Sequence, residues 1–325
     1  MKTQKQQIKA VGTHQSEVLQ DIPLACADEL KAVEFIEQQR WGDIPCCPRC
    51  GDMDVKQMKD RTSGERNKRF LWRCYGCKQQ FTVKIGTVME DSRIPYRHWC
   101  FAFWAACSSK KGVSAMQIQR QTGLSYKSAL FLMHRIRFAM TDDHSTPEPM
   151  TGDIEVDEVY MGGKERNKHA SKRKQPGRGT IGKIPVVAMV QRGGDVRAQI
   201  MPTVNGKNLR KVMKENIDKS ATVYTDEALY YNQAGRYFPK HEKVNHSAGE
   251  YVRGKATTNT IESFFAILRR GVIGTYHSVS KEHLHRYIGE FEYKYNTRKL
   301  DDGERMVLAI QKSDGKRLMY KQPAV

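Results

Sequence analysis

Three acidic residues lie on predicted strands and a predicted helix in the second half of the chain. Asp157 lies within a β-rich run, Asp226 ends a short apolar run, and Glu262 lies in the first turn of a predicted helix. Taken singly, each is more typical of a surface residue or a helix cap. If the three converge in one cleft, their charges repel one another unless hard cations such as Mg²⁺ or Mn²⁺ neutralise them. Two such ions can activate an attacking oxygen and stabilise the leaving oxygen of a phosphodiester, so the pattern indicates metal-dependent phosphoryl transfer.

Four cysteines form a second candidate metal site, in the first half of the chain. They are arranged as two CxxC pairs, Cys47 with Cys50 and Cys74 with Cys77. Each pair sets two thiolates on a tight turn, and four thiolates complete a tetrahedral zinc site; a redox pair is the alternative. Cys46 adjoins the first pair but lacks the two-residue spacing. Residues 54–59 and 66–73, between the pairs, predict two strands. A ribbon this small needs structural Zn²⁺ because it buries little core.

The charge of the chain narrows the class of partner. Its 325 residues include 55 Lys and Arg against 36 Asp and Glu, a formal net charge of +19. Such a field attracts polyanions, and nucleic acid is the leading class. An anionic membrane is the competitor, yet no window approaches the roughly 18 apolar residues of a spanning helix, and the N-terminus leads into no signal-peptide region. We therefore expect a cytoplasmic protein without a membrane partner.

Residues 112–136 predict two helices separated by a glycine-containing turn. Ser114 and Ser125 stand where N-caps belong, and Ala129, Leu132 and Ile136 make the second helix amphipathic. This is the helix-turn-helix pattern, whose second helix can enter a major groove. The basic segment 164–183 is a second candidate for phosphate contacts, as a hairpin or a flexible loop.

The acidic residues must be positioned by the predicted elements of residues 150–300. Residues 153–161, 185–190 and 196–201 predict three strands, residues 205–217 a helix, and residues 222–227 a short buried strand. The helix with Glu262 follows, capped by Thr258 or Asn259. An apolar stripe of Ile261, Phe264, Phe265 and Leu268 runs along it. Alternation along the first strand puts Asp157 on the face opposite Val156 and Glu158. The order of elements predicts an α/β fold in which the acids meet at one edge of a mixed sheet.

The chain therefore divides into five predicted regions. These are a disordered arm at 1–25, a zinc ribbon with a leading helix at 26–90, a helix-turn-helix DNA-binding region at 91–144, a catalytic domain at 150–300 and a C-terminal tail at 301–325.

Eight ordered blocks of sequence carry a resemblance to a known family. They are 47–51 (CPRCG), 81–89 (FTVKIGTVM), 156–163 (VDEVYMGG), 224–226 (YTD), 244–252 (VNHSAGEYV), 259–265 (NTIESFF), 271–277 (GVIGTYH) and 283–287 (HLHRY). Together they resemble the bacterial insertion-sequence transposases of the DDE, RNase H-like superfamily, in the branch with an N-terminal zinc ribbon. The resemblance spans about residues 28–298.

The resemblance implies an RNase H-like catalytic domain in which Asp157 and Asp226 are the first two ligands of Mg²⁺ or Mn²⁺. The third position in this branch is Asn or a carboxylate, and this chain offers both Asn259 and Glu262 on one helical face. Glu262 is preferred because a carboxylate is the better ligand for a hard cation. Arg269, two turns further on, would then face a phosphate.

The implied activity is DNA transposition: cleavage of one strand at each element end, followed by transfer of the freed 3′ hydroxyl into target DNA. The implied partners are double-stranded DNA, as terminal repeats and as target, and further copies of the chain in at least a dimer. The implied location is cytoplasmic, at the nucleoid. A nuclease of similar fold and a DNA-binding regulator with an inactive catalytic domain are the alternatives.

Overall fold

A computed structural model of the protein describes residues 18–142, 148–163, 169–173, 180–250 and 252–319. The chain forms two compact units, residues 1–140 with 297–325 and residues 141–296. Residues 1–17 of the predicted arm and most of the basic segment 164–183 lie outside the described part of the chain.

The first unit contains a small sheet and a set of helices. Its elements are α1 Val18–Ala27, α2 Glu29–Trp41, β1 Val55–Gln57, β2 Trp72–Cys74, β3 Gln80–Phe81, α3 Tyr96–Ser108, α4 Ala115–Thr122, α5 Tyr126–Met140 and, from the far end of the chain, α10 Asp302–Gln311.

The small sheet is antiparallel, in the order β1-β2-β3. Its own core consists of Trp72, Phe81 and two cysteines, Cys47 and Cys74. The second strand begins only at Trp72, although the sequence predicted a strand from residue 66. The reason is that Phe70 has φ 55°, a left-handed backbone conformation that interrupts an extended chain.

Helix α1 corrects the predicted extent of the disordered arm. The arm was expected to continue to residue 25, but Val18–Ala27 is helical, and Ile22 and Ala25 are buried. Their i,i+3 spacing places both on one helical face, which packs within the first unit. The surrounding polar residues conceal this short apolar pattern in the sequence.

Helix α10 corrects the predicted C-terminal tail, because these residues belong to the core of the first unit. The Asp301 side chain accepts a bond from the backbone N–H of Glu304, and the Glu304 side chain accepts one from the backbone N–H of Asp301, a complete capping box. Met306, Ala309 and Ile310 are buried on the inner face. The capping box followed by this apolar spacing was readable in the sequence.

We expect Met306→Ala to lower the free energy of unfolding by roughly 2–5 kcal/mol, because the Met306 side chain is fully buried and its truncation leaves a cavity. Chemical denaturation followed by circular dichroism measures the effect. The control is Met116→Ala, since Met116 is 50% exposed on helix α4. Equal stabilities of the two variants would contradict the burial of α10.

The second unit is a five-stranded mixed sheet with helices on both faces. Its elements are β4 Asp153–Met161, β5 Ile184–Gln191, β6 Val196–Ile200, α6 Gly206–Asn216, β7 Thr222–Thr225, α7 Leu229–Gly235, β8 Lys240–Lys243, α8 Asn259–Gly274 and α9 Leu284–Asn296. The strand order is β6-β5-β4-β7-β8. β4 pairs antiparallel with β5, and β5 antiparallel with β6, whereas β7 runs parallel to β4 and β8 parallel to β7.

Side-chain alternation along β4 separates the two faces of this sheet. Ile154 and Val156 face a core formed with α6 and α7, whereas Val159 and Met161 face a core formed with α8 and α9. The three predicted strands and the helix at 205–217 are confirmed as β4, β5, β6 and α6. The strand predicted at 222–227 is present as β7 but ends at Thr225, so Asp226 and Glu227 follow it.

The sequence did not predict α7 and β8. Helix α7 has only seven residues, and the four residues of β8 alternate between exposed and partly exposed positions. Such short, polar elements give no clear periodicity. No helix in the described ranges is long and apolar enough to span a membrane.

Candidate active site and zinc site

Asp157 and Asp226 lie at the same level on two neighbouring parallel strands. In the β4–β7 register Glu155 is opposite Tyr224, so two residues further along each chain Asp157 comes level with Asp226, just beyond the end of β7. Asp226 is held there by its own turn, where its Oδ1 accepts a 3.0 Å bond from the backbone N–H of Ala228. The carboxyl ends of parallel strands are where sites form in open α/β sheets.

Asp157 has a strongly perturbed carboxyl group. Burial, together with the charges of Glu158, Asp226 and Glu262, raises its pKa to about 7. The influence of Asp226 and Glu262 means that all three acids predicted from the sequence act within one electrostatic neighbourhood. Perturbed carboxylates of this kind are typical of functional sites.

Helix α8 brings Glu262 to this neighbourhood from above the sheet. Its apolar stripe, Ile261, Phe264, Phe265 and Leu268, is buried against the sheet and α9, as the sequence predicted. Glu262 is exposed one turn into the helix, and its Oε1 accepts a 3.0 Å bond from the Thr258 hydroxyl.

The two other residues predicted on this helix are also exposed. Asn259 is the first residue of α8, and Arg269 lies two turns beyond Glu262, about 10 Å further along the helix axis. Both are therefore accessible to a bound polyanion.

The three carboxylates are more widely spaced than the ligands of a compact ion cage. Within the described ranges, the four zinc-ribbon cysteines alone form a group of three or more Cys, His or acidic ligands whose atoms all lie within 4.8 Å. An oxygen-only donor set containing a carboxyl with a pKa near 7 suits a hard divalent cation, which favours the charged form.

The sequence predicted that Thr258 or Asn259 caps the first turn of α8, and this prediction is wrong. Thr258 occupies the N-cap position, but its side chain makes no capping bond. The backbone N–H groups of Thr260 and Ile261 instead donate to Oε2 of Glu155 on β4, at 2.9 and 3.0 Å. Nothing in the sequence indicated that Glu155 caps this helix, because Thr260 and Ile261 lie more than 100 residues away from it along the chain.

Glu158 points to the opposite face from Asp157, as strand alternation predicted. It accepts hydrogen bonds from the hydroxyls of Tyr230 and Tyr231 on α7, the latter at 2.7 Å. Burial raises the pKa of Glu158, and the charge of Asp226 raises it as well. Through these hydrogen bonds, helix α7 holds β4 from the face of the sheet opposite to Asp157.

The cysteine pairs form a separate, compact site in the first unit. The Sγ atoms of Cys47 and Cys77 are 3.7 Å apart, and those of Cys50 and Cys74 are 3.6 Å apart. Four thiolates around zinc, with Zn–S bonds of about 2.3 Å, have Sγ atoms about 3.8 Å apart. The cysteines thus fit structural Zn²⁺, and Cys46 is outside the group, as its spacing indicated.

Helices α4 and α5 have the local structure that the sequence predicted. The Ser114 hydroxyl oxygen accepts from the N–H of Gln117, and that of Ser125 from the N–H of Ser128, both at 3.2 Å. Gly123 ends α4 with φ 71°, a left-handed conformation suited to glycine. Tyr126, at the start of α5, is 45% exposed.

Comparison with known protein families matches both units. Residues 27–80 match the transposase zinc-ribbon domain, and residues 149–296 match the ISXO2-like transposase domain. A protein of Halobacterium salinarum, described as an uncharacterized protein in transposable element ISH50, is 28% identical over 279 residues, or 82% of this chain and 90% of that protein. No solved structure matches the chain.

The fold and the two matched domains define a protein of the transposase class. More narrowly, the chain belongs to the insertion-sequence transposases of the DDE superfamily that carry an N-terminal zinc ribbon, which confirms the resemblance seen in the sequence.

Proposed function

We propose that the protein is a Mg²⁺- or Mn²⁺-dependent DNA transposase that cleaves one strand at each end of an insertion sequence and joins the freed end to target DNA. The observation that carries this proposal is that Asp157 and Asp226 lie level on neighbouring parallel strands and that the charges of Asp226 and Glu262 both raise the pKa of Asp157. Charge concentrated in this way is the donor set for divalent cations in phosphodiester chemistry.

The sheet supports an RNase H-like catalytic domain. In chain order its strands are arranged third, second, first, fourth and fifth, the first three antiparallel and the last two parallel to the first. Helices cover both faces, and Asp157 on β4 lies level with Asp226, which directly follows the parallel strand β7.

In the proposed reaction, Asp157, Asp226 and Glu262 would hold the catalytic cations, which activate the attacking oxygen and stabilise the leaving one. Water attacks the phosphorus at the element end, and the departing 3′ oxygen leaves as a hydroxyl. That hydroxyl then attacks a target phosphodiester, whose own 3′ oxygen departs in turn. Arg269, exposed two turns beyond Glu262, is suited to contact a phosphate and so to orient the DNA.

The first unit would bind the element ends. Two features support this role, namely the zinc ribbon and the α4–α5 pair, whose second helix begins with the exposed Tyr126 and Lys127. The net charge of +19 favours double-stranded DNA as the partner, both terminal repeats and target. Pairing of two ends calls for at least a homodimer, acting in the cytoplasm at the nucleoid.

One experiment distinguishes a transposase from a regulator and from a nuclease. It measures cleavage of duplexes that carry the terminal repeats flanking the gene, with Mg²⁺ and with a chelator. A transposase cuts in Mg²⁺ alone. A zinc-ribbon regulator would bind these duplexes and cut in neither condition. A nuclease of similar fold would cut but fail to join the product to a second duplex.

For the third acidic position, we expect Glu262→Gln to reduce cleavage and joining by at least about 10²-fold, because the neutral amide is a poorer ligand for a hard cation. Binding of the ends, measured by electrophoretic mobility shift, should remain unchanged. Asn259→Ala is the matched variant one turn away on the same helix. An active Glu262→Gln protein together with an inactive Asn259→Ala protein would transfer the role to Asn259.

A further inference from the structure

A buried carboxylate joins the strand of Asp157 to the helix of Glu262. Glu155 lies on β4, two residues before Asp157, and its side chain is 0% exposed. Besides the two N–H groups at the start of α8, it accepts a 3.0 Å bond from the Thr260 hydroxyl at Oε1. Glu155 thus performs, from another element, the work of an N-cap side chain.

Arg192 completes the connection. Its Nε donates a 2.8 Å bond to Glu155 Oε1, while its two terminal nitrogens donate to the carbonyls of Lys255 and Thr257, at 2.8 and 2.9 Å. The guanidinium also lies 4.1 Å from the ring centroid of Tyr224 on β7. One ion pair therefore fixes both the segment that enters α8 and the first turn of the helix.

This connection does something that the apolar face of α8 cannot do. Burial of Ile261, Phe264 and Leu268 holds the helix on the sheet, but hydrophobic contact is not directional. A shift of one residue along α8 would turn Glu262 by about 100° around the helix axis and move it about 1.5 Å along that axis. Hydrogen bonds to defined N–H groups oppose such a shift because they depend on distance and angle.

A buried ion pair is also a poor device for stability alone. Its desolvation offsets much of the attraction, and apolar replacements are often as stable, so a defined geometry is the better reason for its presence. The ion pair fixes the position of the first turn of α8 and therefore of Glu262, whose carboxylate accepts a hydrogen bond from Thr258 at the N-cap of the same helix.

We propose that Glu155, paired with Arg192, is a positioning residue that holds the first turn of α8 against β4 and so sets the place of Glu262 relative to Asp157. The proposal rests on the proposed function, since its consequence is the affinity of the acidic site for its divalent cation. Partners that orient metal ligands typically change affinity or activity by about 10–100-fold when they are removed.

The test compares Glu155→Gln with Glu290→Gln. The amide keeps one acceptor oxygen but turns an NH₂ group toward donors, which breaks the pairing with Arg192. Glu290 is an equally buried glutamate of the same unit, on α9, and is paired with Lys294 and the Tyr276 hydroxyl. Both variants remove a buried charge, but only the first touches the start of α8.

Two quantities are measured on the full-length protein. One is hydrogen exchange, followed by mass spectrometry, of peptides that cover residues 257–264 in the presence of a chelator. The other is the Mg²⁺ concentration that gives half-maximal cleavage of terminal-repeat duplexes. We expect Glu155→Gln to speed the exchange and to raise the Mg²⁺ midpoint by about tenfold, and Glu290→Gln to lower the melting temperature with neither change.

A second variant covers the case in which Glu155→Gln does not fold. Thr260→Val removes only the hydroxyl bond to Glu155, and we expect it to raise the Mg²⁺ midpoint in the same direction by a smaller factor. A Glu155→Gln protein that loses thermal stability as Glu290→Gln does, with the wild-type Mg²⁺ midpoint, would overturn the proposal.

Failure of the proposed function would look different. A wild-type protein that does not cleave in Mg²⁺ refutes the transposase activity, yet the exchange comparison still decides the role of Glu155. In that case, faster exchange at residues 257–264 in Glu155→Gln alone supports the positioning role, and unchanged exchange rejects it.

Discussion

Asp157→Asn is expected to abolish cleavage and joining, by at least about 10³-fold, and at the same time to stabilise the metal-free protein. Activity is lost because the first acidic ligand is removed, and metal ligands account for several kcal/mol of transition-state stabilisation. Stability rises because Asp157 is a buried carboxyl surrounded by other acids. Functional sites commonly trade stability for activity in this way.

The pH dependence of the stability effect follows from the raised pKa. The carboxyl of Asp157 has a pKa of about 7 in the folded protein, against an ordinary value of 3.8. The folded state therefore holds the proton more tightly, and the wild type loses stability relative to Asp157→Asn as the pH rises from about 4 to about 7. Above about pH 8 the difference is constant, on the order of 4 kcal/mol, since each unit of pKa difference corresponds to about 1.4 kcal/mol.

Chemical denaturation between pH 5 and pH 8 in a chelator measures this difference. Asp153→Asn is the control, because Asp153 lies at the other end of β4 and accepts a bond from the Tyr224 hydroxyl. We expect Asp153→Asn to keep its activity. An Asp157→Asn protein that still cleaves in Mg²⁺, or that is no more stable than the wild type at pH 8, would contradict the proposed acidic site.

Cys47→Ser is expected to release the zinc and unfold the ribbon, and with it to weaken binding to the element ends. The buried core of the ribbon consists of only two aromatic rings and two of the ligand cysteines, with Trp41, Val55 and Ile85 partly buried around it. So small a core does not hold the fold without the metal. Zinc binding supplies about 10 kcal/mol of folding free energy in such small domains. The second unit, with its own cores, should remain folded.

Zinc content by elemental analysis and end binding by mobility shift measure these effects. Cys46→Ser is the matched control, since Cys46 is the adjacent thiol and lies outside the cluster. We expect it to keep one zinc ion and full binding. Equal zinc content in the two variants would show that Cys46 can replace Cys47.

The sequence predicted most of what local pattern determines. Alternation along β4 placed Asp157 and Glu158 on opposite faces, and the structure has one beside α8 and the other bonded to α7. The helical stripe of α8 and the serine caps of α4 and α5 followed from spacing alone. The zinc ligands followed from two CxxC pairs, since cysteine spacing maps directly onto metal geometry.

What the sequence did not reveal depends on contacts between distant segments. In the sequence Glu155 looks like any other acidic residue on a strand. Only the fold shows that its side chain is buried and accepts hydrogen bonds from the first turn of α8. The interruption at Phe70 requires a backbone conformation that its residue type does not indicate. The terminal helix α10 was missed for a simpler reason, because its capping box was not recognised.

Joining of a pre-cut element end to a second duplex tests the central proposal most directly. The substrate is a terminal-repeat duplex that already carries a free 3′ hydroxyl, incubated with the protein and an unrelated target duplex. We expect joined product in Mg²⁺, none in a chelator, and none with Asp157→Asn or Glu262→Gln. Stable binding of the ends without joined product in Mg²⁺ would contradict a DNA transposase with its active site at Asp157, Asp226 and Glu262.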